Sequence, residues 1–345
     1  MYNKNQSIQI GEPLGMEVRP RSHILVISNK GDITTDLVIK RLRDLHLPFV
    51  RFNTEDFPKE VEITIDVSND NSGVEISTPK QRLSDKDIKV VWYRRPKLPD
   101  FQDCDLSTDD CLFAIRETDE FFQNLWYFLN EVHWVNSPHA LAKAEMKALQ
   151  LKVASMVGFT IPHTNFSNSG RAFDLLRKTH DNHIVVKPIS HGSYGKADDS
   201  AIFATDLSDA PIDPENFSIE TCPLIIQEKV FKKSDVRLTV FGEELFAYEI
   251  QPNDKNQPVL DWRRYSPDQL KHSRVNPPFH VVESIRHFMK YFELKFGAFD
   301  FALDTNGEWI FLEINPSGQF AWLELATGDR LIDSLIRLLN GENKI

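Results

Sequence analysis

Hydrophobic positions fall into short runs whose period changes from segment to segment. His23–Ser28 (HILVIS) is an almost unbroken apolar run and predicts a buried strand. Residues 32–46 place Val38, Leu42 and Leu45 on one face, the spacing of a helix, with Asp32 or Thr34 as its cap. Phe49–Phe52 predicts the next strand, and this strand–helix–strand opening predicts a small α/β domain. Residues 61–67 and 73–78 read as a hairpin with Asn69–Gly73 at its tip. Val90–Arg94 predicts a strand that ends in Arg94 and Arg95, a pair that reads first as a solvated rim and second as an anion contact. A polar loop over 97–110 precedes a helix over Cys111–Asn130, strongly amphipathic or nearly all buried, whose aromatic stripe is core packing.

A boundary falls near Asn136, Ser137 and Pro138. Beyond it, 140–157 predicts one helix with Ala142, Met146, Leu149, Val153 and Val157 on one face, stopped by Gly158. His183–Pro188 predicts a strand followed by the loop SHGSYGK, and Leu224–Lys229 another strand. Residues 236–250 predict a hairpin turning at Gly242 and Glu243; 252–276 reads as a long basic loop, Pro277–Phe292 as a helix, and 321–340 as closing helices. The stretch FGAFDFALDTNGEWIFLEINPSGQ, 296–319, organises the rest. Its strands, Gly297–Leu303 and Glu308–Ile314, flank the turn residues Asp304–Gly307. Alternation puts Trp309, Phe311 and either Glu313 or its neighbours on one face.

Composition narrows the class. A chain of 345 residues predicts roughly two to three domains. With 41% apolar and 26% charged residues it reads as soluble and globular. No apolar run reaches the ~18 residues of a membrane span. The N-terminal stretch is polar, lacks a signal core and reads as a flexible or strap-like leader. Cys104, Cys111 and Cys222 lack metal-ligand spacing, which fits a reducing cytoplasm. A net charge of −11 argues against a nucleic-acid binder.

Candidate chemistry lies where charge interrupts apolar segments. Asp300, Glu313 and Asn315 sit in strand sequence, and Glu313 and Asn315, two apart, share a face that Asp300 can meet from the partner strand. Two carboxylates and an amide oxygen are the hard ligands that hold Mg2+ against a polyphosphate; edge-strand acids facing water are the bland alternative. Lys147 in the 140–157 helix, Lys187 before the glycine loop and Glu228 at a strand exit complete a set suited to a nucleoside triphosphate. Backbone N–H groups of 190–195 could cover the phosphates. Neither G-x-x-x-x-G-K-[ST] nor G-x-G-x-x-G occurs, so neither a P-loop nor a dinucleotide fingerprint is present.

The order of these motifs resembles the ATP-grasp superfamily over about 138–320. The resemblance implies an α/β chain: an ATP-grasp fold of two α+β subdomains gripping ATP, at 136–226 and 227–345, preceded by a tail at 1–22 and an α/β pre-ATP-grasp domain at 23–135. It implies that Lys147 and Lys187 contact phosphates, with Ser193, Tyr194 and Gly195 in the covering loop. Gln227, Glu228, Lys229 and Val230 would present main chain to the adenine, Asp235 would meet the ribose, and Asp300, Glu313 and Asn315 would hold Mg2+, expected as two ions. The triplet Asp235-Val236-Arg237 resembles the D-[IV]-R of the RimK-like branch, where the arginine faces the reacting phosphate.

The opening NKGDITTDLVIKRLRDLHLPFVRFNTEDFP, WYRRP at 92–96, NSP at 136–138, LQLKVASMVGFTIPHT at 149–164, DWRRY at 261–265 and FLEINPSGQFAWLE at 311–324 narrow the likeness. Together they resemble the microviridin-type ATP-grasp peptide macrocyclases, or graspetide ligases; residues 1–22 depart from that pattern. The resemblance implies activation of Asp or Glu side chains of a ribosomal precursor peptide, leader plus core, and ring closure on Ser/Thr or Lys. It implies Arg237, with Arg263 or Arg264, as stabilisers of the reacting group, a cytoplasmic homodimer, and neither nucleic acid nor membrane as partner. Competing readings are a RimK-like or glutathione-synthetase-like ligase for a small amine, and a non-catalytic nucleotide-binding protein. The complete metal set and both lysines weigh against the last.

Overall fold

The computed structural model describes residues 21–70, 72–101, 104–190, 205–208, 219–254, 262 and 265–342. Ser193, Tyr194, Gly195, Arg263, Arg264 and most of the 1–22 tail lie outside the described residues.

The expected opening is present as β1 (His23–Ser28), α1 (Ile33–Asp44) and β2 (Phe49–Asn53). Asp32 is the cap of α1, accepting from the Thr35 N–H at 3.2 Å. Val38 and Leu42 are buried, whereas Leu45 lies past the last turn and is 42% exposed. The hairpin is β3 (Glu62–Val67) and β4 (Ser72–Ser77), extended to a three-stranded sheet by β5 (Arg82–Ser84). β6 (Ile88–Tyr93), α2 (Thr108–Phe128) and β7 (His133–Val135) follow. The first sheet is parallel, in the order β2-β1-β6-β7, which is why β1 and β6 are apolar on both faces. α2 buries Phe122, Leu125 and Trp126 but exposes Leu112, Phe113 and Tyr127, so it is amphipathic rather than nearly all buried.

The single helix expected over 140–157 is two: α3 (Pro138–Ala144) and α4 (Lys147–Met156). Ser137 caps α3 and Pro138 starts it, two residues earlier than expected. Met146 is extended between the helices and its side chain is exposed, as is Ala142; Leu141, Ala144, Leu151, Val153 and Ala154 are the buried positions. The break makes Lys147 the first residue of α4. β8 (Thr164–Ser167), α5 (Gly170–Thr179), β9 (Ile184–Lys187), β10 (Thr205–Asp206) and β11 (Leu224–Glu228) give an antiparallel sheet in the order β10-β9-β11-β8. Phe173 and Leu176 of α5 cover Ile184 and Ile226.

The last sheet combines β12 (Lys232–Phe241), β13 (Glu244–Pro252), β14 (Leu270–Val275), β15 (Phe296–Asp304) and β16 (Trp309–Asn315), ordered β14-β13-β12-β15-β16. β14 occupies part of the expected 252–276 loop. It is an edge strand held by main-chain pairing to β13, Ala247 opposite Val275 through Pro252 opposite Leu270, so its polar side chains gave no strand pattern. α6 (Phe279–Tyr291) and α4 cover one face, where Leu238, Phe299 and Phe311 meet Phe159 and Phe288. On the other face Phe241, Tyr248 and Phe296 meet Phe320, just ahead of α7 (Ala321–Thr327), and α8 (Leu331–Asn340). α8 also packs on α1 and the first sheet, so one core joins both ends of the chain.

Candidate active site

The focal hairpin contains an irregularity that alternation does not predict. Asp300 stands opposite Glu313 and Phe301 opposite Phe311, so Leu312 has no partner. This bulge switches the faces of β16. Trp309, Phe311 and Ile314 point into the core, and Glu313 and Asn315 are left on the opposite side. Strict alternation would have put Glu313 and Asn315 beside Phe311, in the apolar core. On β15, Phe299 and Phe301 take the core face and Asp300 the site face, 8% exposed. Asn315 donates from Nδ2 to Asp300 Oδ2 at 3.1 Å.

Arg237 stands directly opposite Asp300 on β12, between the core residues Val236 and Leu238. Its Nη1 donates to Asp300 Oδ1 at 2.7 Å and Oδ2 at 2.8 Å. Nη2 donates to the Gln319 carbonyl at 3.4 Å, and the guanidinium carbon lies 5.9 Å from the Trp262 ring centre. Arg237 Nε is buried and has no hydrogen-bond partner among the described residues. Trp262, from the DWRRY stretch, lies against Trp322 at 5.1 Å between ring centres, the rings tilted by 31°.

Three buried polar residues hold this arrangement, and sequence reasoning missed their roles. Gln150 of α4 grips β16 between its two ligand candidates: Nε2 donates to the Ile314 carbonyl at 3.0 Å and Oε1 accepts the Ile314 N–H at 3.0 Å. Asn136, expected at a boundary, bonds instead to Lys295 N–H at 2.7 Å and to the Phe296 and Pro316 carbonyls at 2.8 and 3.2 Å. Arg94 corrects the rim reading. It is 1% exposed, pairs with Asp32 at 3.1 Å, and donates to the Ser317 and Gly318 carbonyls and to Gln319 Oε1. Burial lowers its pKa to about 10, with Asp32 offsetting part of the cost, so it stays charged at neutral pH. The signal available was a polar side chain inside an apolar run; its partners were distant in sequence. Gly318 is needed where this loop crosses β15, because a Cβ there would lie 2.5 Å from the Ala298 Cβ.

Glu313 and Asn315 open onto a cavity of about 570 Å3 lined also by Lys147, Glu145, Arg95, Tyr93, Gln123 and His139. Lys147 Nζ donates to the Pro188 carbonyl at 3.4 Å, linking α4 to the exit of β9. Lys187 Nζ donates to Gln227 Oε1 at 2.6 Å, and Gln227 donates to Thr164 Oγ1 at 2.8 Å. The side chain of Glu228 accepts from the His163 N–H at 3.1 Å, Lys229 pairs with Asp206 at 2.6 Å, and Val230 lies in the connection between β11 and β12. Asp235, 5% exposed, is paired with Lys232 at 2.6 Å. The fold thus brings Lys147, Glu313 and Asn315 to one cavity and Arg237, Asp300 and Asn315 to one sheet face. Lys187, Gln227 and Glu228 stand on the neighbouring four-stranded sheet, and Lys229 and Val230 follow it.

Two carboxylates and an amide, with Asp300 held in a defined orientation, fit an Mg2+ ion in their chemistry. The unpartnered Arg237 Nε fits an anionic ligand beside them.

Residues 23–142 match the family model described as the MvdD pre-ATP grasp domain. No curated protein matched the chain at the sequence level. Among solved structures, the macrocyclase MdnC of Microcystis aeruginosa MRC, bound with precursor peptide MdnA, aligns at TM-score 0.79 and 24% identity, covering 93% of this chain and 99% of that one. A RiPP-associated ATP-grasp ligase of Chryseobacterium gregarium, in complex with ADP and a leader and core peptide, aligns at TM-score 0.81 and 24% identity, covering 93% and 97%. The macrocyclase MdnB of Microcystis aeruginosa MRC aligns at 0.73 and 23%, covering 92% and 99%. At such identities the likeness is one of fold: the chain has the ATP-grasp fold, preceded by a segment that matches the MvdD pre-ATP grasp domain.

Proposed function

We propose that the chain is an ATP-dependent ligase that activates acidic side chains of a ribosomally made precursor peptide, leader plus core, as acyl phosphates. It then closes ω-ester rings on Ser or Thr, or ω-amide rings on Lys. The observation that carries this reading is the convergence of Arg237, Asp300, Glu313 and Asn315 on one sheet face, beside a cavity that also holds Lys147. Similarity of fold to a macrocyclase solved with its precursor and a ligase solved with ADP and peptide supports a peptide substrate.

The chemistry follows from physical need. A carboxylate is a poor electrophile because its leaving group would be oxide. In the proposed reaction a side-chain carboxylate oxygen bonds to the γ-phosphorus of ATP, the bond to the β–γ bridging oxygen breaks, and ADP leaves with the electron pair. A hydroxyl or amine then attacks the acyl carbon, loses its proton, and phosphate leaves. Each ring removes one water from the peptide. Mg2+ held by Asp300, Glu313 and Asn315 would supply charge neutralisation at the polyphosphate. Arg237, through its unpartnered Nε, donates to the transferring phosphoryl and then the oxyanion, with Arg263 as a second cation. Lys147 and Lys187 bind phosphates and Ser193–Gly195 cover them. Main chain of Gln227–Val230 faces the adenine and Asp235 meets the ribose. The resemblance adds two Mg2+ ions, a homodimer and a cytoplasmic setting to this proposal.

Mass spectrometry of a precursor peptide incubated with enzyme, ATP and Mg2+ tests the reading. Losses of about 18 Da per ring are expected from intramolecular condensation, with mild base reopening esters and sparing amides. Addition of a free amino acid's mass to a protein or peptide end would replace it with the RimK-like reading.

A further inference from the structure

The cavity extends beyond the residues that the proposed function uses. Its far wall comes from the first sheet and α2: Tyr93, Arg95, Pro96 and Gln123. Arg94 and Arg95 are adjacent but point to different tasks. Arg94 is buried and committed to Asp32, two loop carbonyls and Gln319 Oε1, whereas Arg95 is exposed on the cavity wall.

Arg95 is held in place rather than left to roam. Its φ is +48°, a left-handed value that an arginine adopts at a cost. Its carbonyl accepts from Asn29 Nδ2 at 2.6 Å, and its Nε donates to the Ser317 carbonyl at 3.0 Å. One nitrogen is thereby fixed on the loop that leaves Asn315, and no carboxylate lies within ion-pair distance of this guanidinium among the described residues. On the same cavity, the His139 ring lies against Tyr127 at 4.1 Å between ring centres, tilted by 39°, and its Nε2 is buried without a hydrogen-bond partner among the described residues. The pinned Arg95 guanidinium, one nitrogen of which is bonded to Ser317, turns the rest of its fork toward a cavity that also holds the His139 ring, and such a fork suits an anionic group. Glu145 and Glu313 also line the cavity, so its formal charge is balanced before any ligand enters.

We propose that this wall is the acceptor subsite for the side-chain carboxylate to be activated, with Arg95 as the residue that selects it. The inference rests on the reading above and adds the substrate group to it. A carboxylate approaching a triphosphate meets like charge, and a fixed guanidinium offers a planar pair of donors that offsets this repulsion. Placing that cation on the first sheet means the pre-ATP-grasp segment contributes directly to substrate choice.

The probe is blocked glutamate, N-acetyl-L-glutamate amide, with blocked glutamine as its neutral control. Binding to the full chain with Mg2+ and ADP is read by saturation-transfer NMR. Wild type should bind blocked glutamate at least about tenfold tighter than blocked glutamine. Arg95→Gln should abolish the preference, and Arg95→Lys should keep part of it because the charge remains without the fork. Equal preference in Arg95→Gln and wild type, or no glutamate preference in wild type, overturns the proposal. Should Arg95→Gln not fold, His139→Leu and Arg95→Lys carry the same comparison. A parallel hydroxylamine trap separates this from the broader reading: binding without any glutamyl hydroxamate would remove the acyl-phosphate step while leaving the carboxylate subsite in place.

Discussion

Arg237 and Asp300 face each other across neighbouring strands, and one arginine nitrogen donates to both carboxylate oxygens at 2.7 and 2.8 Å. The pair is nearly buried, with side chains 7% and 11% exposed. Breaking such a pair from one side leaves an uncompensated charge, which costs about 3–5 kcal/mol. Asp300→Asn is therefore expected to lower the Tm clearly as well as remove turnover. Glu313→Gln, on the partly exposed side of the same site, is expected to keep the wild-type Tm and lose Mg2+-dependent ADP release. Thermal melts beside an ADP-release assay check both, and equal Tm losses in the two variants would contradict the contrast.

Arg94 ties the first sheet to residues 317–319 through the Ser317 and Gly318 carbonyls, Gln319 Oε1 and Asp32. Arg94→Met should destabilise the fold by roughly 3–5 kcal/mol, since Asp32 is left buried and unpaired. Arg94→Lys should rescue it poorly, because one ammonium cannot replace a planar fork. Denaturant midpoints of the two variants check this.

Much of this site was legible in the sequence, but its supports were not. Asp300, Glu313 and Asn315 stood out as acidic and amide side chains within apolar strands, and the hairpin around Gly307 followed from turn chemistry. The bulge at Leu312 did not, because alternation carries no mark of an extra residue until the partner strand is known. Arg94 looked like a rim because its acceptors lie more than 220 residues away. The helix break at Glu145 and Met146 was hidden by good helix formers on either side; Gln150, turned inward to Ile314, was the discordant residue within it.

Gln150→Leu removes both hydrogen bonds to the Ile314 backbone. The buried main-chain groups left without partners should cost about 1–3 kcal/mol, and β16 should hold Glu313 and Asn315 less tightly. A Mg2+ titration of ADP release is expected to shift to higher concentration, with ATP saturation unchanged.

His272 lies against Trp322, its Nε2 buried without a hydrogen-bond partner among the described residues. Burial lowers its pKa below the ordinary value of 6.5. The folded state thus favours the neutral ring. The stability it contributes is complete above pH ~6.5 and is lost as pH falls through the lower folded pKa. Wild type should lose Tm as pH falls from ~6.5 to that lower value, and His272→Phe should lose less over the same window.

The central claim is that a peptide carboxylate is phosphorylated before ring closure. The most direct measurement uses a precursor peptide whose acidic side chains carry 18O. Attack through a carboxylate oxygen, followed by cleavage of the acyl C–O bond, leaves that oxygen on phosphate. Acyl-phosphate formation therefore predicts one 18O in the released phosphate for every ring formed. Phosphate with no label, released in step with ring closure, would contradict it.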